Sequence, residues 1–147
     1  MLKHTYEGQD CSLARALEVI GERWTLLIVR SALLGVRRFE GFLGSMDIAR
    51  NVLANRLLRL VDAGLMERVP YQWKPLRHEY VLTSAGHDLT RSVLALIQWG
   101  DRNVPARLGP PRRAEHRGCD GSVSVELHCS RCGHEVGDEE VTMRRLR

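Results

Sequence analysis

Aromatic side chains are scarce in this sequence: two Phe, three Trp and three Tyr among 147 residues, beside four Cys. So small a stock leaves few residues for redox or stacking chemistry and argues against a large enzyme with a deep active-site cleft. Long apolar runs are missing too. The longest unbroken run of large aliphatic side chains, Leu26 to Val29, is four residues, against the roughly 20 that a helix needs to cross a bilayer. The opening stretch MLKHTYEGQD holds no apolar segment of the kind a secretory signal carries. The expected location is therefore the cytoplasm, with no membrane partner. No repeat or low-complexity segment is visible. What remains, 44% hydrophobic and 27% charged, is a globular composition. Its length suits one domain of roughly 100 residues with a small appendage.

The formal charge is only +4, but it is unevenly spread. Residues 1–35 balance to zero, residues 78–104 come to −1 and residues 105–147 to +1, whereas residues 36–77 carry +4. A basic field gathered in mid-chain suits a polyanion, because each neutralised phosphate releases condensed counterions. A solvated arginine-rich face gives the same count, so charge alone does not decide.

Hydrophobic spacing predicts the elements. Leu13, Leu17 and Ile20 share one face of a first helix, with Ser12 as its cap and Gly21 interrupting it. Trp24, Leu27, Ile28, Ser31 and Leu34 mark a second helix that stops at Gly35. A short third helix runs from about Phe39 to Ser45. A fourth, capped by Asp47, buries Leu53, Leu57, Leu60 and Val61 and ends at Gly64. Leu65 to Tyr71 and Arg77 to Thr83 then read as a hairpin with a five-residue tip, Gln72 to Leu76. Its alternation is too imperfect to set a register. Thr83 or Ser84 caps a last long helix bearing Leu89, Val93, Leu96, Ile97 and Gly100. The expected fold is mainly α with a small β-hairpin wing: a winged helix-turn-helix, plus a small C-terminal ribbon. The expected divisions are 1–104 for DNA binding and dimerisation, 105–114 for a linker and 115–147 for the ribbon.

In that architecture the fourth helix enters the major groove and the hairpin lies along the backbone or minor groove. With Leu53 at the centre of the buried face, Asn51, Asn55, Leu58 and Asp62 fall opposite, with Ala54 and Arg59 on the flanks. Asn51 and Asn55 sit one turn apart near the helix start, where an amide can present donor and acceptor to adenine together. Arg50 could reach a phosphate or a guanine, and Arg56 lies on the shoulder of the buried face. Lys74 and Arg77 at the wing tip, Arg68 on the incoming strand, and Arg37 and Arg38 before the third helix are expected to hold the backbone. Trp73 is expected to pack under the wing.

Several ordered stretches resemble one family. They are Cys11-Ser-Leu-Ala-Arg-Ala-Leu17, Ile20-Gly-Glu-Arg-Trp-Thr-Leu-Leu-Ile28, Gly35-Val-Arg-Arg-Phe39, Ile48-Ala-Arg-Asn-Val-Leu-Ala-Asn-Arg-Leu57, Ala63-Gly-Leu65, Glu79-Tyr-Val-Leu-Thr-Ser-Ala-Gly86 and Trp99-Gly100. Together, over about residues 11–104, they resemble the HxlR-type transcriptional regulators. The resemblance implies a dimeric winged-helix DNA-binding protein of bacterial type, with terminal helices at the dimer interface and no catalysis. It leaves room for a small-molecule effector. Ala49 departs from the pattern, since many members carry a capping serine there. Some members sense oxidants or electrophiles through a cysteine near the N-terminus, a position that Cys11 occupies. Apolar side chains on the first and last helices, Leu94 among them, independently suggest a two-fold dimer, and hence a pseudo-palindromic operator.

Three cysteines fall in the tail. His116 and Cys119, then Cys129 and Cys132, have the two-residue spacing that lets paired ligands converge on one metal from a tight turn. Gly118, Gly121 and Gly133 allow the close backbone approach, His134 is a substitute ligand, and Val123, Val125 and Leu127 alternate like a short strand. A tail this small builds a poor core, so a structural zinc would help it fold. A redox pair or an empty ribbon fits the same spacing. Cys11 is either a packed small apolar residue or a reactive thiol, its pKa lowered by Arg15 and the helix start. A thiol-dependent enzyme is opposed by the lack of a general base beside the cysteines. An adapter whose ribbon grips protein or RNA stays open.

Overall fold

A computed structural model describes residues 5–104 and 106–146. Its elements run α1 (Ser12–Ile20), α2 (Thr25–Leu33), α3 (Phe39–Ser45), α4 (Arg50–Asp62), β1 (Met66–Trp73), β2 (Leu76–Leu82), α5 (Ser84–His87) and α6 (Thr90–Asn103), with a single 3₁₀ turn at Asp138–Glu140. This is a winged helix-turn-helix, mainly helical, with one antiparallel two-stranded ribbon. Pro105, at the head of the predicted linker, lies outside the described residues. No helix among those described is long and apolar enough to cross a membrane.

The chain divides into two compact units, Met1–Val93 and Leu94–Arg147, with the division inside α6. The first unit holds the core: Ile28 and Val29 from α2, Phe42 from α3, Leu53, Leu57 and Leu60 from α4, with Ile48, Met66 and Val93. On α2 the buried face is Thr25, Ile28, Val29 and Ser31, while Leu27 and Leu34 are exposed, which turns the predicted face by about one residue. Ser31 Oγ meets Ser45 Oγ at 3.2 Å, and Ser45 Oγ donates to the Phe42 carbonyl at 2.9 Å, which joins α2 to the end of α3. No residue of α1 is buried.

Several ends differ from expectation. Cys11, not Ser12, occupies the N-cap of α1, and Ala49, not Asp47, that of α4; neither cap makes a side-chain hydrogen bond. The predicted long last helix is two. Thr83 Oγ1 accepts from the Gly86 amide at 3.2 Å and donates to the Gly64 carbonyl at 2.6 Å, which starts α5. A Cβ on Gly86 would lie 2.2 Å from the Leu65 carbonyl oxygen, so only glycine lets this turn seat there. Thr90 Oγ1 then donates to the His87 carbonyl at 2.6 Å, engaging the end of α5 as α6 begins.

The ribbon pairs Met66 with Leu82 through Pro70 with His78, then shifts to Gln72 with Arg77 and Trp73 with Leu76. Tyr71 is thus a one-residue bulge. Pro70 has no N–H for the ladder, and the bulge explains the broken alternation of the sequence. The tip closes at Lys74 and Pro75, joined by a cis bond, so it is shorter than the five residues expected. Trp73 is 75% exposed and does not pack under the wing.

In the second unit, Gln98 of α6 donates from its side chain to the Val123 carbonyl at 2.8 Å and accepts from the Val125 amide at 3.1 Å. Val123, Val125 and Leu127 form no strand, and all three are exposed.

Candidate nucleic-acid interface

α4 buries Leu53, Leu57 and Leu60, and this fixes what faces out. Asn51, Ala54, Asn55, Leu58, Arg59 and Asp62 are exposed, so both asparagines stand one turn apart on the open face near the helix start. Asn51 makes no side-chain hydrogen bond among the described residues. Asn55 Oδ1 accepts from Arg56 at 2.8 Å, which leaves its amide N–H groups directed to solvent.

The wing is tied to the entry of α3. The Tyr80 amide donates to the Arg37 carbonyl at 2.7 Å. Arg38 donates to Glu79 at 3.4 Å, and its guanidinium lies 4.1 Å from the centre of the Tyr71 ring, the residue that the bulge turns out of the ladder. The Leu65 amide bonds the Leu60 carbonyl at 2.9 Å, and the Thr83 amide the Leu65 carbonyl at 3.0 Å, which fixes where the ribbon leaves α4. A cation over an aromatic face and paired backbone bonds both resist rotation. The wing is thereby bonded both to the entry of α3 and to the end of α4.

Most of the arginines expected at DNA are already partnered. Glu40 holds Arg50 at 2.7 Å and 3.3 Å, and the Arg50 guanidinium sits 5.3 Å over Phe39. The hydrogen bond from Arg50 pulls the Glu40 carboxyl below its ordinary range and raises Arg50 further, so the pair is ionised throughout the neutral range. Glu79 faces both Arg37 at 3.9 Å and Arg38 at 3.4 Å. Glu22 takes Arg56 at 2.8 Å and also pairs with Arg59, while Arg56 Nε donates to the Arg23 carbonyl at 3.2 Å. Arg68 meets His78 Nδ1 at 3.2 Å. Lys74 and Arg77, both exposed, form no ion pair among the described residues.

Nothing in the sequence pattern marks Glu22, Glu40, Glu79 and Tyr71 as partners of these arginines. Glu40 lies close in sequence to Arg37 and Arg38, but Glu79 has only Arg77 nearby. Glu22 sits in the turn between α1 and α2, where Trp24 adopts a left-handed backbone, φ 82°. Spacing carries no sign of that turn.

Cys11 is exposed at the start of α1, and its thiol pKa is lowered by the backbone amides of Ala14 and Leu13, with a smaller contribution from Arg15. The expected metal ligands form two pairs. His116 Nδ1 lies 3.4 Å from Cys119 Sγ, and Cys129 is hydrogen-bonded to Cys132. The structure does not gather the four: among the described residues no group of three or more His, Cys, Asp or Glu side chains is placed to hold a metal ion. His134 joins neither pair through its side chain; its carbonyl accepts from the Cys129 amide at 3.0 Å.

Comparison with known proteins places this geometry. Residues 19–107 match the HxlR-like helix-turn-helix family, a match that stops short of the tail. The uncharacterized HTH-type transcriptional regulator Rv3095 of Mycobacterium tuberculosis is 47% identical over 141 residues, covering 96% of this chain and 88% of its own. The crystal structure of PA1607 superposes with a TM-score of 0.83 at 34% identity, covering 94% of this chain and 96% of that one. The redox regulator HypR in its reduced form gives a TM-score of 0.59 at 30% identity, covering 64% of this chain and 96% of its own.

Proposed function

The chain belongs to the HxlR-like helix-turn-helix family and is a DNA-binding transcriptional regulator, not an enzyme; from that premise we propose that it reads a pseudo-palindromic operator as a homodimer. The observation that carries this reading is the pair Asn51 and Asn55, exposed one turn apart on a helix whose end is hydrogen-bonded to the root of a basic wing. α4 lies in the major groove with the asparagine amides at base edges. Lys74, Arg77 and the arginines around α3 and α4 hold phosphates.

Dimerisation is supported by apolar side chains that the single chain leaves open. Leu13 and Val19 on α1 are 66% and 45% exposed; on α6, Leu96 and Trp99 are each 54% exposed. A nine-residue amphipathic helix with nothing buried is poorly stable alone and gains by packing its stripe against a second copy. The test is footprinting on duplexes that the full chain selects from a random pool, with sedimentation of the free protein. Two symmetric protected half-sites about one helical turn apart, or a multiple, together with a dimeric mass are expected. A monomer protecting one unrepeated site overturns the dimer, and equal retention of selected and random duplex overturns specific reading.

A specific observation favours a redox input as well. Cys11 is exposed, with its thiol pKa lowered by two backbone amides, and HypR is a redox regulator of the same fold. Oxidation or alkylation of Cys11 at the head of α1 alters the dimer and so the separation of the two reading helices. A Cys11→Ser protein is then expected to stay on its duplex when oxidant is added. Release equal to that of the parent removes Cys11 from the reading.

A further inference from the structure

The tail repeats itself. His116 donates its amide to the Gly121 carbonyl at 2.9 Å, and Cys129 donates its amide to the His134 carbonyl at 3.0 Å, each bond reaching five residues ahead. The amide of Asp120 returns to the His116 carbonyl at 2.8 Å, as that of Gly133 does to the Cys129 carbonyl at 2.8 Å. Asp120 and Gly133 are both left-handed, φ 58° and 74°. A bridge joins Glu115 to Ser122, and another His128 to Glu135. Val123 bonds back to Ala114 at 2.9 Å, and Val136 to Leu127 at 2.8 Å. Segments 114–123 and 127–136 are therefore one small hairpin made twice, thirteen residues apart, a repeat invisible in sequence because only Cys119/Cys132 and Val123/Val136 coincide. In both, the first and fourth residues of the turn are His or Cys.

From this we propose that the two hairpins are the halves of a structural zinc site, with His116, Cys119, Cys129 and Cys132 as its four ligands. In a zinc tetrahedron, a nitrogen at 2.0–2.1 Å and a sulfur at 2.3 Å stand roughly 3.6 Å apart. His116 Nδ1 and Cys119 Sγ, at 3.4 Å, already span that edge. The sequence clears room for them. A Cβ on Gly118 would come within 3.0 Å of the His116 ring, and one on Gly121 within 3.3 Å of Cys119 Sγ.

The unit also has no apolar core to hold its shape. None of its described residues is buried, and Val123, Val125, Leu127 and Val141 are exposed. A segment of this size without a core needs a staple. The short connection between the hairpins is fixed to Gln98 at Val123 and Val125, so both turns swing from one anchored stem. Zinc draws the two pairs, separate here, onto one ion. Four protein ligands close the site, which makes it structural and not catalytic.

The test uses the full chain, grown with zinc and purified reduced without chelator. Elemental analysis is expected to find about one zinc per chain, as a closed four-ligand site retains its metal. Cobalt(II) exchanged into the protein is expected to give the strong thiolate charge-transfer and ligand-field bands of a tetrahedral site. Cys129→Ser loses them and Cys11→Ser keeps them. Because Cys129→Ser could fail to fold, His116→Cys is the second variant: it keeps the metal and shifts the cobalt bands toward those of four thiolates. Zinc below about a third of an equivalent, a weak octahedral cobalt spectrum, or a Cys129–Cys132 disulfide in freshly purified metal-free protein overturns the proposal. So do cobalt bands unmoved in His116→Cys.

Discussion

Lys74 offers the sharpest test of how charge is divided at the interface. It is exposed at the wing tip with no ion pair among the described residues, so its whole charge is available to a phosphate. Replacing it with alanine removes one contact per half-site. Each lost contact flattens the slope of log affinity against log salt by about 0.9, or about 1.8 for two half-sites. Across a fourfold rise in salt the parent then loses about twelvefold more affinity than Lys74→Ala. Arg59 behaves differently because it pairs with Glu22. If Arg59 leaves that carboxylate for a phosphate, Glu22 takes up a counterion, and net release shrinks. Arg59→Ala is expected to flatten the slope less than Lys74→Ala does. Fluorescence anisotropy with a selected duplex and a scrambled one, over a salt series, measures both. An unchanged slope in Lys74→Ala, or a loss confined to the selected duplex, refutes the assignment of Lys74 to the backbone.

Asn51→Ala and Asn55→Ala are expected to do the reverse, each costing about 1–3 kcal/mol per half-site on the selected duplex while random duplex and salt slope stay unchanged; competition titration checks this. Leu57, fully buried, gives a stability control: Leu57→Ala should cost about 2–5 kcal/mol and lower the urea midpoint at constant slope. Arg50 lowers the folded pKa of Glu40, so their pairing contributes fully above the ordinary glutamate range and is lost only as pH falls through the lowered value. An NMR titration should therefore place the Glu40 midpoint lower in the parent than in Arg50→Gln. Peptide-resolved alkylation should show Cys11 reacting at a lower pH than an unperturbed thiol, since its thiolate is favoured by the helix-start amides.

The winged helix-turn-helix was legible because its long elements obey simple periods. The third helix runs from Phe39 to Ser45 as spacing predicts, and the stripe Leu53, Leu57 and Leu60 on the fourth is buried. The exposure of Asn51 and Asn55 follows from the same period. What escaped was set by contacts between residues distant in sequence. The seating of the short α5 requires Gly86 to approach the Leu65 carbonyl, which no helical pattern reveals. The hairpin register turns on a single extra residue, Tyr71, whose displaced ring is then used by Arg38. Counting arginines overstated the free charge, because Glu22, Glu40 and Glu79 reach them across 10 to 42 residues. In the tail, the ligand spacing showed which residues belong together in pairs, but not that the backbone makes the same turn twice.

The carboxylates also bear on how the protein finds its target. An arginine paired with Glu79 or Glu40 leaves a carboxylate behind when it takes a phosphate, so net counterion release is smaller and bulk DNA is expected to hold the protein weakly. On the proposed reading, the exchange is expected to become favourable only where the groove also satisfies the two amides. The expected behaviour is brief residence on random sequence and rapid scanning. Single-molecule dwell times on non-operator DNA that do not lengthen in a Glu79→Gln variant would count against this account.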